Sequence, residues 1–172
     1  MLFKVKGILD FTPEDVTKKH ISQSSWKRVA IIKTNCNISD YYAWFLKTRF
    51  NLTLNKPLRG THVTFISDRV DRDIFNQACI IFNNKEIEFY YENMPRSNGQ
   101  HWWLRAWSPQ AEDIRQSIGL SRVPYFSFHL TIGSANEKNI DHSKYILECC
   151  KKFKLTDGNP RSSLEEYEIY GN

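Results

Sequence analysis

The chain has 172 residues, 41% hydrophobic and 14% aromatic, enough for one domain with a sizeable core. Its formal charge of +5 and pI of 9.0 favour an anionic partner such as a phosphate ester or nucleic acid, and no apolar run approaches membrane-spanning length. No cleavage signal opens the chain, and Cys36, Cys79, Cys149 and Cys150 show no CxxC spacing, so a cytosolic protein with reduced thiols is expected.

In chain order, Thr12 as a cap and Pro13 behind it predict a short helix over 12–20, then a loop over 21–25. A strand follows over 26–35 and a helix over 39–50, with apolar residues at helical spacing. Residues 51–60 form a loop closed by Gly60, and 61–68 form a strand. The run 71–82 suits helix or strand equally. Strands over 85–92 and 101–108 flank the turn-rich NMPRSNGQ, as a hairpin with a long loop. Ser108 and Pro109 start a helix over 109–120, near Gly119. A strand over 125–133, a helix over 139–153, a loop over 156–163 and a strand over 165–171 complete the chain. Helices alternating with antiparallel strands predict a single α+β domain spanning 1–172.

Two strands share an unusual feature. THVTFISD (61–68) and YFSFHLTIG (125–133) each place a His two residues before a Thr, inside an apolar run. Strand side chains alternate faces, so each His shares a face with its Thr, and the apolar residues between and after them face a core. In the second strand Tyr125, Ser127 and Gly133 fall on the His face. One such His would be an ordinary structural residue; a pair calls for a common purpose.

His62-Val63-Thr64-Phe65 and His129-Leu130-Thr131-Ile132, 67 positions apart (129 − 62), resemble the two H-h-[ST]-h motifs of the 2H phosphoesterase superfamily, where h is apolar. The resemblance implies a bilobal α+β fold, two antiparallel-sheet lobes with flanking helices around a central cleft. It also implies metal-free phosphodiester chemistry with no cofactor. The length, motif spacing and aromatic-rich middle are most similar to the phage anti-CBASS nucleases. These degrade cyclic di- and trinucleotide immune signals, in the host cytoplasm when phage-encoded.

The residue types suit that chemistry. Metal-free cleavage of a phosphodiester needs a base for the nucleophile and an acid for the leaving oxygen, and His titrates nearest neutrality. The Thr hydroxyls would donate to the non-bridging oxygens. His62, Thr64, His129 and Thr131 are therefore the catalytic candidates.

Trp103, Arg105 and Tyr125 are the substrate-binding candidates. Trp103 or Trp107 suits base stacking and Arg105 suits phosphate, while the other tryptophans pack core. Arg59 is a further phosphate candidate. Tyr41, Tyr42 and Trp44 are expected in a helix core, and His101 and His142 at the surface. Glu165, Glu166 and Glu168 suit a solvated edge, and Lys151, Lys152 and Lys154 a helix C-terminus.

The expected substrate is a 3′–5′-linked cyclic oligonucleotide. The enzymatic alternative is an RNA 2′,3′-cyclic phosphodiesterase or 2′–5′ oligonucleotide hydrolase. The non-enzymatic alternative is a protein that sequesters a nucleotide intact. No membrane or protein partner is expected.

Overall fold

The computed structural model describes residues 2–12 and 27–136. Of the helix expected over 12–20 only Thr12 is described, and the elements expected over 21–25, 139–153, 156–163 and 165–171 lie outside the described residues, as do Cys149 and Cys150.

The order is β1 (Leu2–Asp10), β2 (Lys27–Lys33), α1 (Ile38–Phe50), β3 (His62–Arg69), α2 (Arg72–Phe82), β4 (Glu86–Glu92), β5 (Arg96–Ser97), β6 (His101–Trp107), α3 (Pro109–Ser117) and β7 (His129–Ser134). All the strands form one antiparallel sheet in the order β4-β1-β2-β3-β7-β6-β5. Strand β6 also pairs with β4, through Tyr90–Trp107 and Tyr91–Ala106, and this pairing closes six strands into a barrel.

This corrects the expected bilobal architecture. There is one closed sheet and the fold is mostly β, with three helices among the described residues. The hairpin expected between 85–92 and 101–108 forms as the β4–β6 pairing, but the ring closes because β1 pairs with β4 and β7 with β6, and local patterns do not encode such long-range pairing. The ambiguous run 71–82 is helix α2, capped by Asp71 Oδ1, which accepts from the Asp73 and Ile74 amides. Strand β1 was not anticipated. Lys4 and Lys6 share its outer face and pair with glutamates on β4 (Lys4–Glu88 2.8 Å, Lys6–Glu86 2.7 Å), while Gly7 on the inner face and Ile8 on the outer one blur the alternation.

One face of the ring fills the barrel. Leu9, Ile32, Val63, Phe65, Leu104 and Leu130 are wholly buried there. Helix α1 adds Tyr42, Leu46 and Phe50 to the same core, and α2 adds Phe75 and Ala78. Helix α1 bridges opposite walls: the Tyr42 hydroxyl donates to Asn93 O beyond β4, and the Ser39 amide donates to Thr61 Oγ1 before β3. The Lys–Glu pairs of β1 and β4 mark the other face as the outer one. No helix among the described residues is long and apolar enough to cross a membrane.

Strand β7 is anchored from outside the ring by Asn55, whose amide donates to Ser134 O (2.8 Å) and whose carbonyl accepts from the Ser134 amide (3.1 Å). This contact requires glycine next door, since a Cβ on Gly133 would lie 2.5 Å from Asn55 O and 2.9 Å from Leu54 Cβ. Gly133→Ala is expected to destabilise the fold by about 1–3 kcal/mol, the range for overpacking. A urea titration checks it: the midpoint should fall with the slope unchanged.

Candidate functional site

Strands β3 and β7 lie side by side with Val63 opposite Leu130. Continuing that register sets His62 opposite Thr131 and Thr64 opposite His129. Directly opposed Cβ atoms lie about 4.5–5.5 Å apart and diagonal neighbours about 7–8 Å. The two imidazoles are thus diagonal neighbours on one face of the sheet. Val63 and Leu130 point the other way into the core, where both are fully buried.

The flanking strands extend this into two rows. Lys33 on β2 pairs with His62, and Ile31 with Thr64. On β6, Trp103 pairs with Thr131 and Arg105 with His129. One row reads Lys33–His62–Thr131–Trp103 and the other Ile31–Thr64–His129–Arg105. A two-fold axis through the Val63–Leu130 pair exchanges His with His, Thr with Thr and Lys33 with Arg105. The symmetry breaks at one position: Trp103 on one side corresponds to Ile31 on the other.

The backbone repeats the symmetry. Ala30 pairs with Ile66 but Ile31 with Thr64, which leaves Phe65 as an extra residue in β3. Trp102 pairs with Gly133 but Trp103 with Thr131, which leaves Ile132 extra in β7. Each is a β-bulge at the fourth motif position, a device that bends a strand and re-aims its side chains. After the bulge both Phe65 and Ile66 are buried, as are Ile132 and Gly133. Gly133 therefore pairs with core-facing Trp102 rather than lying on the His face.

Helical side chains hold backbone carbonyls at both motifs. Arg115, fully buried on α3, donates Nη1–H to Phe65 O (2.6 Å) and to Asp68 Oδ2 (2.7 Å), and its Nε donates to Ser121 O (2.8 Å). The Ser39 hydroxyl donates to Thr131 O (2.8 Å). Each bulge thus has a carbonyl of its motif tied to a helix, which restrains the strand where the ladder is irregular.

The imidazoles are held alike. His62 Nδ1 lies 2.8 Å from Gly60 O and His129 Nδ1 lies 2.9 Å from Ser127 O, in each case the carbonyl two residues earlier. A carbonyl can only accept, so Nδ1 carries the proton and Nε2 keeps the lone pair of the neutral ring. Burial pushes both rings below the usual histidine pKa, against the opposing effect of those carbonyls. Arg59 and His129 add positive repulsion at His62, and His101 does so at His129.

All four motif residues are half-buried, open enough to meet a ligand and enclosed enough for their charges to matter. The arrangement offers two Nε2 atoms, two hydroxyls and cations at both ends.

The remaining candidates divide. Trp103 and Arg105 join the rows directly. Tyr125 does not: β7 begins at His129, so Tyr125 lies before the strand, 64% exposed and edge-on to Phe126. The aromatic run had suggested a strand from 125, but the strand begins only at His129. Trp107 is buried under the Arg105 guanidinium (5.1 Å to the ring), which removes it as a base platform. Arg59 is near enough to His62 to depress its protonation. Only Tyr42 of the three expected core aromatics is buried; Tyr41 and Trp44 are 56% and 60% exposed. His101 is exposed as expected. Glu165, Glu166, Glu168, His142 and the three lysines lie outside the described residues. Lys33 was missed, because nothing local to WKRVAIIK says which residue its strand sets beside a histidine.

No family model matches the chain, and neither a curated protein nor a solved structure matches it.

Because His129 depresses His62, His129→Ala should raise the His62 pKa toward the usual value of 6.5. Proton-detected NMR titration of the His62 ring reads this directly. An unchanged or lower value would separate the two rings electrostatically.

Proposed function

We propose that the chain is a metal-independent phosphodiesterase of the 2H phosphoesterase type, acting on 3′–5′-linked cyclic oligonucleotides. One observation carries the reading: His62 and His129 stand on adjacent strands, each opposite the other motif's Thr, with Nδ1 committed to a carbonyl and Nε2 left for substrate. The reading rests on this local geometry and not on a two-lobed architecture.

A phosphate centred between the rows meets one Nε2 on either side. In the first step a neutral imidazole takes the proton of the ribose 2′-OH. The 2′-oxygen then bonds to phosphorus, the bond from phosphorus to the 5′-oxygen breaks, and the second imidazole, protonated, gives its Nε2 proton to that oxygen. The cyclic nucleotide opens and carries a 2′,3′-cyclic phosphate. The same pair in exchanged states can add water to phosphorus and release the 2′-oxygen, leaving a terminal monoester. Thr64 and Thr131 hydroxyls hold the non-bridging oxygens, and Lys33 and Arg105 compensate phosphate charge at the two ends. Trp103, at the Thr131 end of one row, gives that end an aromatic side chain suited to a nucleobase.

His62→Ala and His129→Ala should each lower turnover by about 10²–10⁴-fold, with excess EDTA changing little. Mass spectrometry of products from a cyclic dinucleotide, a 2′–5′ oligoadenylate and a 2′,3′-cyclic mononucleotide identifies the substrate. Recovery of every ligand intact would favour sequestration, and loss of activity in chelator would end the metal-free mechanism.

The pH profile has a definite sign. The competent free enzyme holds one proton on the pair, and both rings titrate below 6.5. The bell in kcat/KM should therefore peak below pH 6.5 and fall toward alkaline pH as the protonated ring is lost. A flat profile from pH 5 to 9 would contradict paired histidines.

A further inference from the structure

A cavity of about 610 Å³ opens between helix α1 and the paired ends of β1 and β4. Its lining shares no residue with the two histidine rows. On one side Phe3 and Tyr91 are opposed in the ladder and stack, with ring centroids 5.3 Å apart and planes at 25°. On the other side helix α1 presents Tyr41, edge-on to Tyr42 at 5.1 Å.

Polar groups are few and neutral. Asn37 stands at the N-cap of α1, yet its side chain makes no capping hydrogen bond. Asn93, also in the lining, accepts the Tyr42 hydroxyl through its backbone carbonyl. Burial raises the Tyr42 and Tyr91 pKa values, so both phenols stay neutral. Among the described residues, no Lys, Arg, Asp or Glu lines the space.

Stacking faces without charge exclude an anion as the recognised group and favour a flat, neutral heterocycle. Asparagine amides can both donate and accept, as the N6 and N7 edge of adenine requires. The volume lies within the range of small-ligand sites. We propose that this cavity is a second, non-catalytic site that binds a purine nucleobase against the Phe3–Tyr91 stack and Tyr41, with the Asn37 and Asn93 amides reading its edge. The ribose and any phosphate remain outside, so adenosine and adenosine monophosphate bind alike.

This goes beyond the phosphodiesterase reading and does not require turnover. Calorimetric titration with adenosine tests it on the full chain, its Tyr41→Ala variant and its His129→Ala variant. Tyr41 is 56% exposed, so its truncation leaves the core intact, and circular dichroism checks that it does. Saturable binding is expected, weakened at least about tenfold by Tyr41→Ala and retained in His129→Ala. Absence of saturable binding, or affinity unchanged by Tyr41→Ala, overturns the proposal. Because adenosine has no phosphodiester, failure here leaves the cleavage assays untouched, and inactive enzyme leaves this binding untouched.

Discussion

The pairing of Val63 with Leu130 governs the rest of the site. Once those two apolar residues face each other in an antiparallel ladder, the residues on either side are set: each histidine falls opposite the other motif's threonine. Both apolar side chains are fully buried, and a slip by one residue would drive His62 and His129 into the core. Hydrophobic burial thereby enforces the register on which the polar geometry depends.

The bulges and their supports add a second level of constraint. An extra residue at Phe65 and at Ile132 interrupts each outer ladder just beyond the motif threonine. An interrupted ladder would leave the strand free to shift, but Arg115 and Ser39 fasten carbonyls of the two motifs to helices. Arg115 also neutralises its buried charge on Asp68, so one side chain links the first bulge, the end of β3 and the segment that leads toward β7. The helices contribute no motif residue, yet they hold the strands that do.

The electrostatics follow from the same placement. Burial disfavours protonation of both rings, and positive charge adds to it, from Arg59 and His129 at His62 and from His101 at His129. On the proposed reading, an anion entering between the rings would relieve that repulsion, so phosphate and proton uptake would be coupled. Lys33 and Arg105 sit at equivalent positions about the local two-fold, whereas Trp103 and Ile31 differ. A symmetric charge pattern is thus joined to an asymmetric pair of apolar residues.

Sequence alone determined the pair of His-x-Thr strands, the apolar backing of each, the capped helix at Ser108 and the loop ended by Gly60, because these depend on residues within one turn or one pleat of each other. It did not disclose the pairing of β1 with β4 and of β7 with β6 that closes the ring, the β1 strand, the bulges, or Lys33 as the neighbour of His62. Tyr125 shows the same limit from the other direction: its strand-like composition did not place it in a strand, since β7 begins at His129. Tertiary structure alone decided which strands became neighbours and in which register, because pairing energy is gained between segments distant along the chain and leaves no mark on either one separately.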